Sequence, residues 1–304
     1  MHKFLTSEMW PFIYNAHGED GQRIEFSHGL LTTYTAKLNA FTFLKRRFAI
    51  RIPLRVIGVP PSLSISGYHA NGTQGIHEIA QWIQSQKGHT LILNADNTFD
   101  GFFAKMSTLP SVILQNSFTS YEAYLSKMRA HYRYRLLKAQ KRFKMVKIIE
   151  NPTFDTSLYA LYEAVYARSS YPLVKNTHDF FQTFPGKITA FYAGEKPIGF
   201  CQYHIADDTL TFMFCGLDYK ALKTYDTYLN ILQYLVARGI EHGVKTIDLG
   251  QTTEEIKLKL GGSLKPLNLY YHHHNVIMRS LAKWMMPLLG YTHDHPDYHV
   301  FKTE

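Results

Sequence analysis

The alternation of apolar and polar positions is clearest between residues 187 and 262. Ile188 to Ala193 is apolar and β-prone, Gly194-Glu195-Lys196 is a turn, and Pro197 to Ile205 is a second strand. Asp207-Asp208 turns the chain again into Thr209 to Cys215, so the stretch reads as an antiparallel meander. Beyond Gly216, residues Tyr225, Tyr228, Leu229, Leu232, Leu235, Val236 and Ile240 recur at three- and four-residue spacing, which predicts a helix closed by Gly243. A strand from Lys245 to Gly250 follows, then Lys257-Leu258-Lys259-Leu260-Gly261-Gly262.

The first third repeats the same kind of order. Arg51 to Val59 reads as a strand stopped by Pro60-Pro61, Ile76, Ile79, Ala80 and Ile83 mark a helix ended by Gly88, and His89 to Ala95 is a short buried strand. Another short strand, Ser111 to Gln115, precedes the boundary we place near residue 115. Next comes a basic helix, opened by a capping-box pair, Thr119 and Glu122. Its apolar line runs through Tyr121, Tyr124, Leu125, Met128, Tyr132, Leu136, Ala139 and Phe143. Lys127, Arg129, Arg133, Arg135, Lys138, Lys141, Arg142, Lys144 and Lys147 fill the remainder, with Glu122 as the one acid. A solvated face normally mixes its signs, so this one points to an anionic partner such as phosphate or an RNA backbone.

Composition narrows the class. The chain has 304 residues with 45% hydrophobic content, enough for one large or two medium domains with a real core. A formal charge of +9 favours anionic substrates, RNA or acidic membranes. The two cysteines, Cys201 and Cys215, each fall inside a strand and read as reduced core thiols in a cytoplasmic protein. Cys201 and His204 are three apart on a strand, hence on opposite faces, which argues against a nucleophilic pair. Met1 to Asn15 has no signal-peptide pattern, and no apolar run reaches the length of a membrane span. The nearest, Val276 to Leu289, is interrupted by Arg279 and Lys283. We expect it to pack on its domain; the other reading is an amphipathic helix making peripheral membrane contact.

Gly194 with Pro197, Gly216-Leu217-Asp218, Arg238-Gly239 with Gly243, Asp248-Leu249-Gly250, Lys257 and Gly261 follow one another in an order and spacing that resembles the C-terminal half of GNAT-superfamily acyltransferases of the BioF2-like and FemAB-like branch. The entry from Ser117 to Tyr124 and the basic helix after it look similar too. FemAB-type proteins contain two GNAT-like halves. The resemblance therefore implies an α/β (α+β) fold of two such halves, 1–115 (degenerate) and 116–304, each a mixed, largely antiparallel sheet flanked by helices.

It also implies a site. In that fold the acyl donor lies in a notch beside the fourth strand, here Thr209 to Cys215, and the loop after it, Gly216 to Lys223, leads to a helix start suited to anions. Cys215, Gly216, Lys220 and Lys223 are the donor-binding candidates. CoA-dependent members place several glycines in this loop, whereas this chain has Gly216 alone. The departure moves weight from acyl-CoA toward aminoacyl-tRNA, as does the basic helix, whose Arg129, Arg133, Arg135, Lys138 and Arg142 are the substrate- or anion-binding candidates. For proton handling the candidates are Lys257, matched to a recurring lysine of the family, Asp248 at its strand end, and Tyr225 at the helix entry. Asp248 equally suits a capping role on the Thr252-Thr253 turn.

The 16 histidines form two clusters, His272-His273-His274 and His293, His295 and His299 with Asp294 and Asp297. On a strand His272 and His274 would share a face, yet carboxylate or thiolate ligands are missing around them, and we expect no metal. The leading reading is an N-acyltransferase moving an acyl or aminoacyl group from a thioester or aminoacyl-tRNA to an amine. Two alternatives stay open, a non-catalytic RNA- or phosphate-binding protein on the same scaffold and a membrane-surface lipid acyltransferase.

Overall fold

The structure, a computed structural model, describes residues 2–14, 20–39, 51–61, 63–170, 174–292 and 295–302. Met1, Asn15, His293 and Asp294 therefore lie outside the described residues. In chain order the elements begin α1 (Trp10–Tyr14), β1 (Gln22–Phe26), β2 (Gly29–Asn39), β3 (Arg51–Ile57), β4 (Tyr68–Ala70), α2 (Gly72–Ser85), β5 (His89–Ala95) and β6 (Ala104–Gln115). There follow α3 (Tyr121–Lys127), α4 (Ala130–Phe143), β7 (Lys147–Glu150), α5 (Thr156–Arg168), α6 (His178–Thr183), β8 (Lys187–Ala193), β9 (Lys196–Ala206) and β10 (Thr209–Leu217). The last are α7 (Leu222–Tyr225), α8 (Thr227–Glu241), β11 (Thr246–Asp248), α9 (Glu254–Leu258), β12 (Ser263–His273) and α10 (Val276–Leu289).

Two compact units result. One comprises residues 1–110, 173–180 and 266–294, the other 111–172, 181–265 and 295–304. The expected division into 1–115 and 116–304 is corrected by this. The first unit ends within β6, between Pro110 and Ser111, and the chain returns to it at residues 173–180 and again through β12 and α10. Among the described residues no helix is long and apolar enough to cross a membrane.

The first unit orders its strands β1-β2-β3-β5-β12, with β4 on β2. All pairs are antiparallel except β3 with β5, which are parallel and joined through α2. Helix α2 buries Ile79, Ala80 and Ile83 against Leu31, Ile57, Ile92 and Tyr270, and Gly88 supplies the positive φ that turns the chain into β5.

The second unit orders its strands β6-β11-β10-β9-β8-β7. Again one pair is parallel, β10 with β11, reached through α8. Both hairpins of the meander use two-residue turns, Gly194-Glu195 and Asp207-Asp208. Both aspartates of the second have positive φ, as the twist-compatible hairpin turn requires. Each unit is thus a mixed, largely antiparallel sheet flanked by helices, the fold class implied by the sequence.

The expected single basic helix is two helices. Ser120, not Thr119, caps α3 by accepting from the Ala123 amide. The chain then breaks at Met128, which bridges Phe301, while the Arg129 amide donates to the Val300 carbonyl. The apolar stripe nevertheless reaches the core: Tyr124, Met128, Leu136 and Ala139 are buried together with Leu232, Leu235 and Val236 of α8.

Helix α5 covers β9 and β10, and Gly216 lies at their closest approach. A methyl group there would overlap the Phe200 ring and come within 2.7 Å of Leu161 Cβ. Replacing Gly216 by Ala is therefore expected to cost roughly 1–3 kcal/mol through overpacking. Urea unfolding measures this directly, and a change below about 0.5 kcal/mol would contradict the packing described.

Candidate active site

Strands β10 and β11 pair only at Thr209–Thr246, Leu210–Ile247 and Thr211–Asp248. From there they part. β11 ends, and β10 continues to Leu217 through a bulge between Phe212 and Phe214 that follows β9 instead. The result is an open notch between the outer half of β10 and the loop 249–253. Three of that loop's residues, Gly250, Thr252 and Thr253, have positive φ. For two β-branched threonines this is a strained backbone, and such strain persists only where surrounding structure enforces it.

Lys257 does the enforcing. It sits on α9, only 1% exposed, and its Nζ donates to the carbonyl oxygens of Gln251 (2.7 Å) and Gly250 (3.1 Å). Burial lowers its pKa to about 8 from an ordinary value near 10.5, opposed by the neighbouring carboxylates of Asp248 and Glu254. An ammonium has three N–H donors and a neutral amine two, so the two carbonyls satisfy the neutral form completely and leave its lone pair unused. The protonated form has one further N–H in that direction. The site therefore presents a proton acceptor or a proton donor with little change in geometry.

Asp248, Cys215 and Glu254 stand near Lys257, and Tyr228 reaches the loop that it holds. Burial pushes the Cys215 thiol up to about 12, with Lys257 acting the other way, so it is a neutral, half-buried wall of the notch rather than a nucleophile. Both cysteines are free thiols, directly opposite one another across β9 and β10. Tyr228, in the first turn of α8, holds its hydroxyl 2.8 Å from Thr253 Oγ1 and is raised by burial and by Cys215. Sequence reasoning chose Tyr225 instead. That residue ends α7, where its carbonyl accepts from Asn230 Nδ2, and Asp226 then turns the chain left-handed before α8 begins. The three-residue offset between Tyr225 and Tyr228 therefore does not place them on one helix.

Asp248 is a turn former. Its Oδ1 accepts from Ser111 Oγ and from the Gly250 amide (2.8 Å), which closes the strand end. Its carboxylate also favours the charged form of Lys257.

The loop 218–226 lacks the closely spaced glycines of a pyrophosphate cradle and is tied to its own neighbours. Gly216 is accounted for by packing under Phe200, not by approach of a ligand. Asp218 ties Lys196 and the Lys220 amide, and Lys196 holds its carboxyl below the usual range. Thr227, first residue of α8, is fully buried, and a Cβ on Gly199 would stand 2.9 Å from its methyl group. Lys220 and Lys223 are exposed beside these carboxylates.

Helix α4 carries cations toward the start of α8 and toward α9. Arg142 pairs with Asp226 at 2.9 Å; Lys259 holds the Glu255 carboxyl on α9 below its usual range, and the charge of Arg135 acts weakly in the same direction. Arg133 reaches the Ser126 carbonyl at 3.5 Å, spanning the α3–α4 break. Arg129 and Lys138 are exposed and, among the described residues, lack acidic partners.

Residues 126–258 match the family described as Acetyltransferase (GNAT) domain. The fold is GNAT-like. L-PGS from Bacillus licheniformis superimposes with a TM-score of 0.57 at 12% identity, over 94% of this chain and 98% of that one. The C-terminal domain (DUF2156) of a protein designated lysylphosphatidylglycerol synthetase from Agrobacterium fabrum gives 0.57 at 7%, over 91% and 93%. FemX gives 0.54 at 8%, over 93% and 99%. At these identities the likeness is one of fold. Comparison with curated proteins finds no match. Among the described residues no cluster of three or more histidine, cysteine or carboxylate side chains is placed to hold a metal. His274 lies beyond β12, and His295 and His299 face Glu254 and Asp297 respectively.

The depressed lysine gives a pH signature. Because its folded pKa lies below the unfolded one, the native state carries the full cost of burying the ammonium below about pH 8 and sheds it as pH rises to about 10.5. The stability of wild type relative to Lys257→Met should therefore increase by roughly 3 kcal/mol over that window. Paired thermal melts at pH 7.5 and 10 measure the difference, and a flat one would contradict the assignment.

Proposed function

We propose that this GNAT-type acyltransferase is an aminoacyltransferase that passes an aminoacyl group from aminoacyl-tRNA to an amine. The observation that carries the reading is Lys257, buried at the base of the notch, near neutrality in charge, and anchored by two carbonyls. In the transfer, the acceptor nitrogen attacks the ester carbonyl carbon, the C–N bond forms, and the C–O bond to the tRNA ribose breaks. The nitrogen loses a proton and the ribose oxygen gains one. A lysine with a pKa of about 8 can take the first proton as the free amine and return it to the leaving oxygen as ammonium. Both forms are populated near neutral pH.

The donor follows from what surrounds that lysine. A glycine-poor, carboxylate-bearing loop at 218–226 disfavours CoA, and the cations of α4 suit a polyanionic backbone. Transfer by Lys257→Ala should fall at least about 100-fold with tRNA affinity unchanged, whereas Arg135→Glu with Lys138→Glu should weaken charged-tRNA binding about tenfold or more and flatten its salt dependence. Filter binding and mass detection of the aminoacylated amine separate the two effects. Turnover of acyl-CoA without tRNA, or full transfer by Lys257→Ala, would overturn the reading.

A second reading concerns where the acceptor is met. Helix α10 was expected to pack on its domain, yet Ile277, Leu281, Trp284 and Leu288, spaced four, three and four apart, are 46–77% exposed. Of its apolar residues, Met286 is buried in a core cluster and Ala282 packs against it. A capped helix with an apolar outer stripe, two cations and no acid is built for an anionic bilayer surface, and one fold neighbour is by name a synthetase of a lysyl phospholipid. Cosedimentation with phosphatidylglycerol vesicles should be strong for wild type and lost in Trp284→Glu/Leu288→Glu. Equal partition of wild type and variant would remove this reading while leaving the transfer chemistry intact.

A further inference from the structure

The first unit contains a cavity of about 320 Å³ whose lining is made by Phe102, Phe103, Tyr271, His272, Arg279 and Lys283. Three observations there point the same way. His272 is 2% exposed, and its Nε2 has no hydrogen-bond partner, although a buried ring nitrogen left unpaired is costly. Arg279 and Lys283 stand one turn apart on α10, a repulsive spacing, and neither an acid on that helix nor an acidic residue in the cavity lining offsets them. The remaining wall is aromatic, with the edge of Phe103 turned to the His272 ring at a centroid distance of 5.5 Å.

We propose that this cavity binds a small organic anion, with a carboxylate or phosphate held between Arg279, Lys283 and His272 and a compact apolar body against Phe102, Phe103 and Tyr271. The volume lies at the lower end for small-molecule sites. A planar guanidinium presents paired donors to such oxygens, a lysine adds a point charge, and a ring N–H completes the set. Burial and then the charge of Arg279 lower the pKa of the imidazole, with the Gln84 backbone acting in the opposite sense. An anion between the two side chains would relieve the second of these effects. The inference does not depend on the transfer reaction, whose residues lie in the other unit.

Calorimetric titration of the full chain with benzoate, phenyl phosphate, inorganic phosphate and benzyl alcohol tests it, with the His272 ring nitrogens followed by ¹⁵N NMR. Saturable one-to-one binding of benzoate or phenyl phosphate, with a shift of the His272 signals, is expected. Whichever of the two binds more tightly identifies the anionic group, and inorganic phosphate should bind at least about tenfold more weakly for want of the apolar body. Arg279→Gln and Lys283→Ala should each weaken binding about tenfold. Lys283 is exposed, so its variant keeps the fold, as a parallel melt will verify. The proposal is overturned if neither organic anion saturates, if benzyl alcohol binds as tightly as they do, or if Arg279→Gln and Lys283→Ala leave affinity unchanged.

Discussion

The grip of the Lys257 ammonium on two backbone carbonyls is the interaction on which the second unit's site depends. Strand β11 has to end abruptly for the notch to open, and the loop that ends it carries two threonines in a left-handed conformation. Such a loop would relax if its carbonyls were free to turn. Lys257 fixes Gly250 and Gln251 from below, Asp248 fixes the Gly250 amide, and Val112 donates its own amide to the Gly250 carbonyl. The cost is a cation taken out of water, and the protein meets it by letting that cation approach neutrality. The same burial that makes the lysine a strut makes it a proton carrier.

Everything near the notch follows from how β10 is held. Its inner half pairs with β11 on one side and β9 on the other; its outer half has β9 alone, and the bulge at Phe212–Phe214 accommodates the change. Gly216 lets α5 press onto this outer half, which explains why the loop's one glycine is not available to a ligand. Helix α4 then lies against α8 through Leu136 and Ala139, so that its arginines reach Asp226 and the region of Glu255. A site of this construction has cations at its rim and one tunable amine at its base.

Much of this was legible in the sequence, for physical reasons that also define the limit. The meander from Lys187 to Leu217 and the helix up to Gly243 are visible because turn residues and apolar periodicity agree there. Lys257 was visible through the family resemblance. The break between α3 and α4 was not, because the apolar stripe passes through it unbroken, and what interrupts the helix is a backbone bridge to Phe301, far away in the chain. Strand β6 was recognised only from Ser111 onward: Lys105, Ser107, Thr108 and Pro110 hide its first half. The interleaving of the units through β12 and α10 leaves no local mark at all. Tyr228 was counted as a core position on α8, and only its reach to Thr253 reveals it as part of the site.

The central claim is that Lys257 is a buried amine poised between its two charge states. Selective ¹³C labelling of lysine side chains, with the Lys257 signal assigned by comparison with Lys257→Met, measures its titration in the folded protein. The structure predicts a midpoint near pH 8, well separated from the exposed lysines. A midpoint at or above about pH 10, the ordinary range for a solvated lysine, would contradict the account.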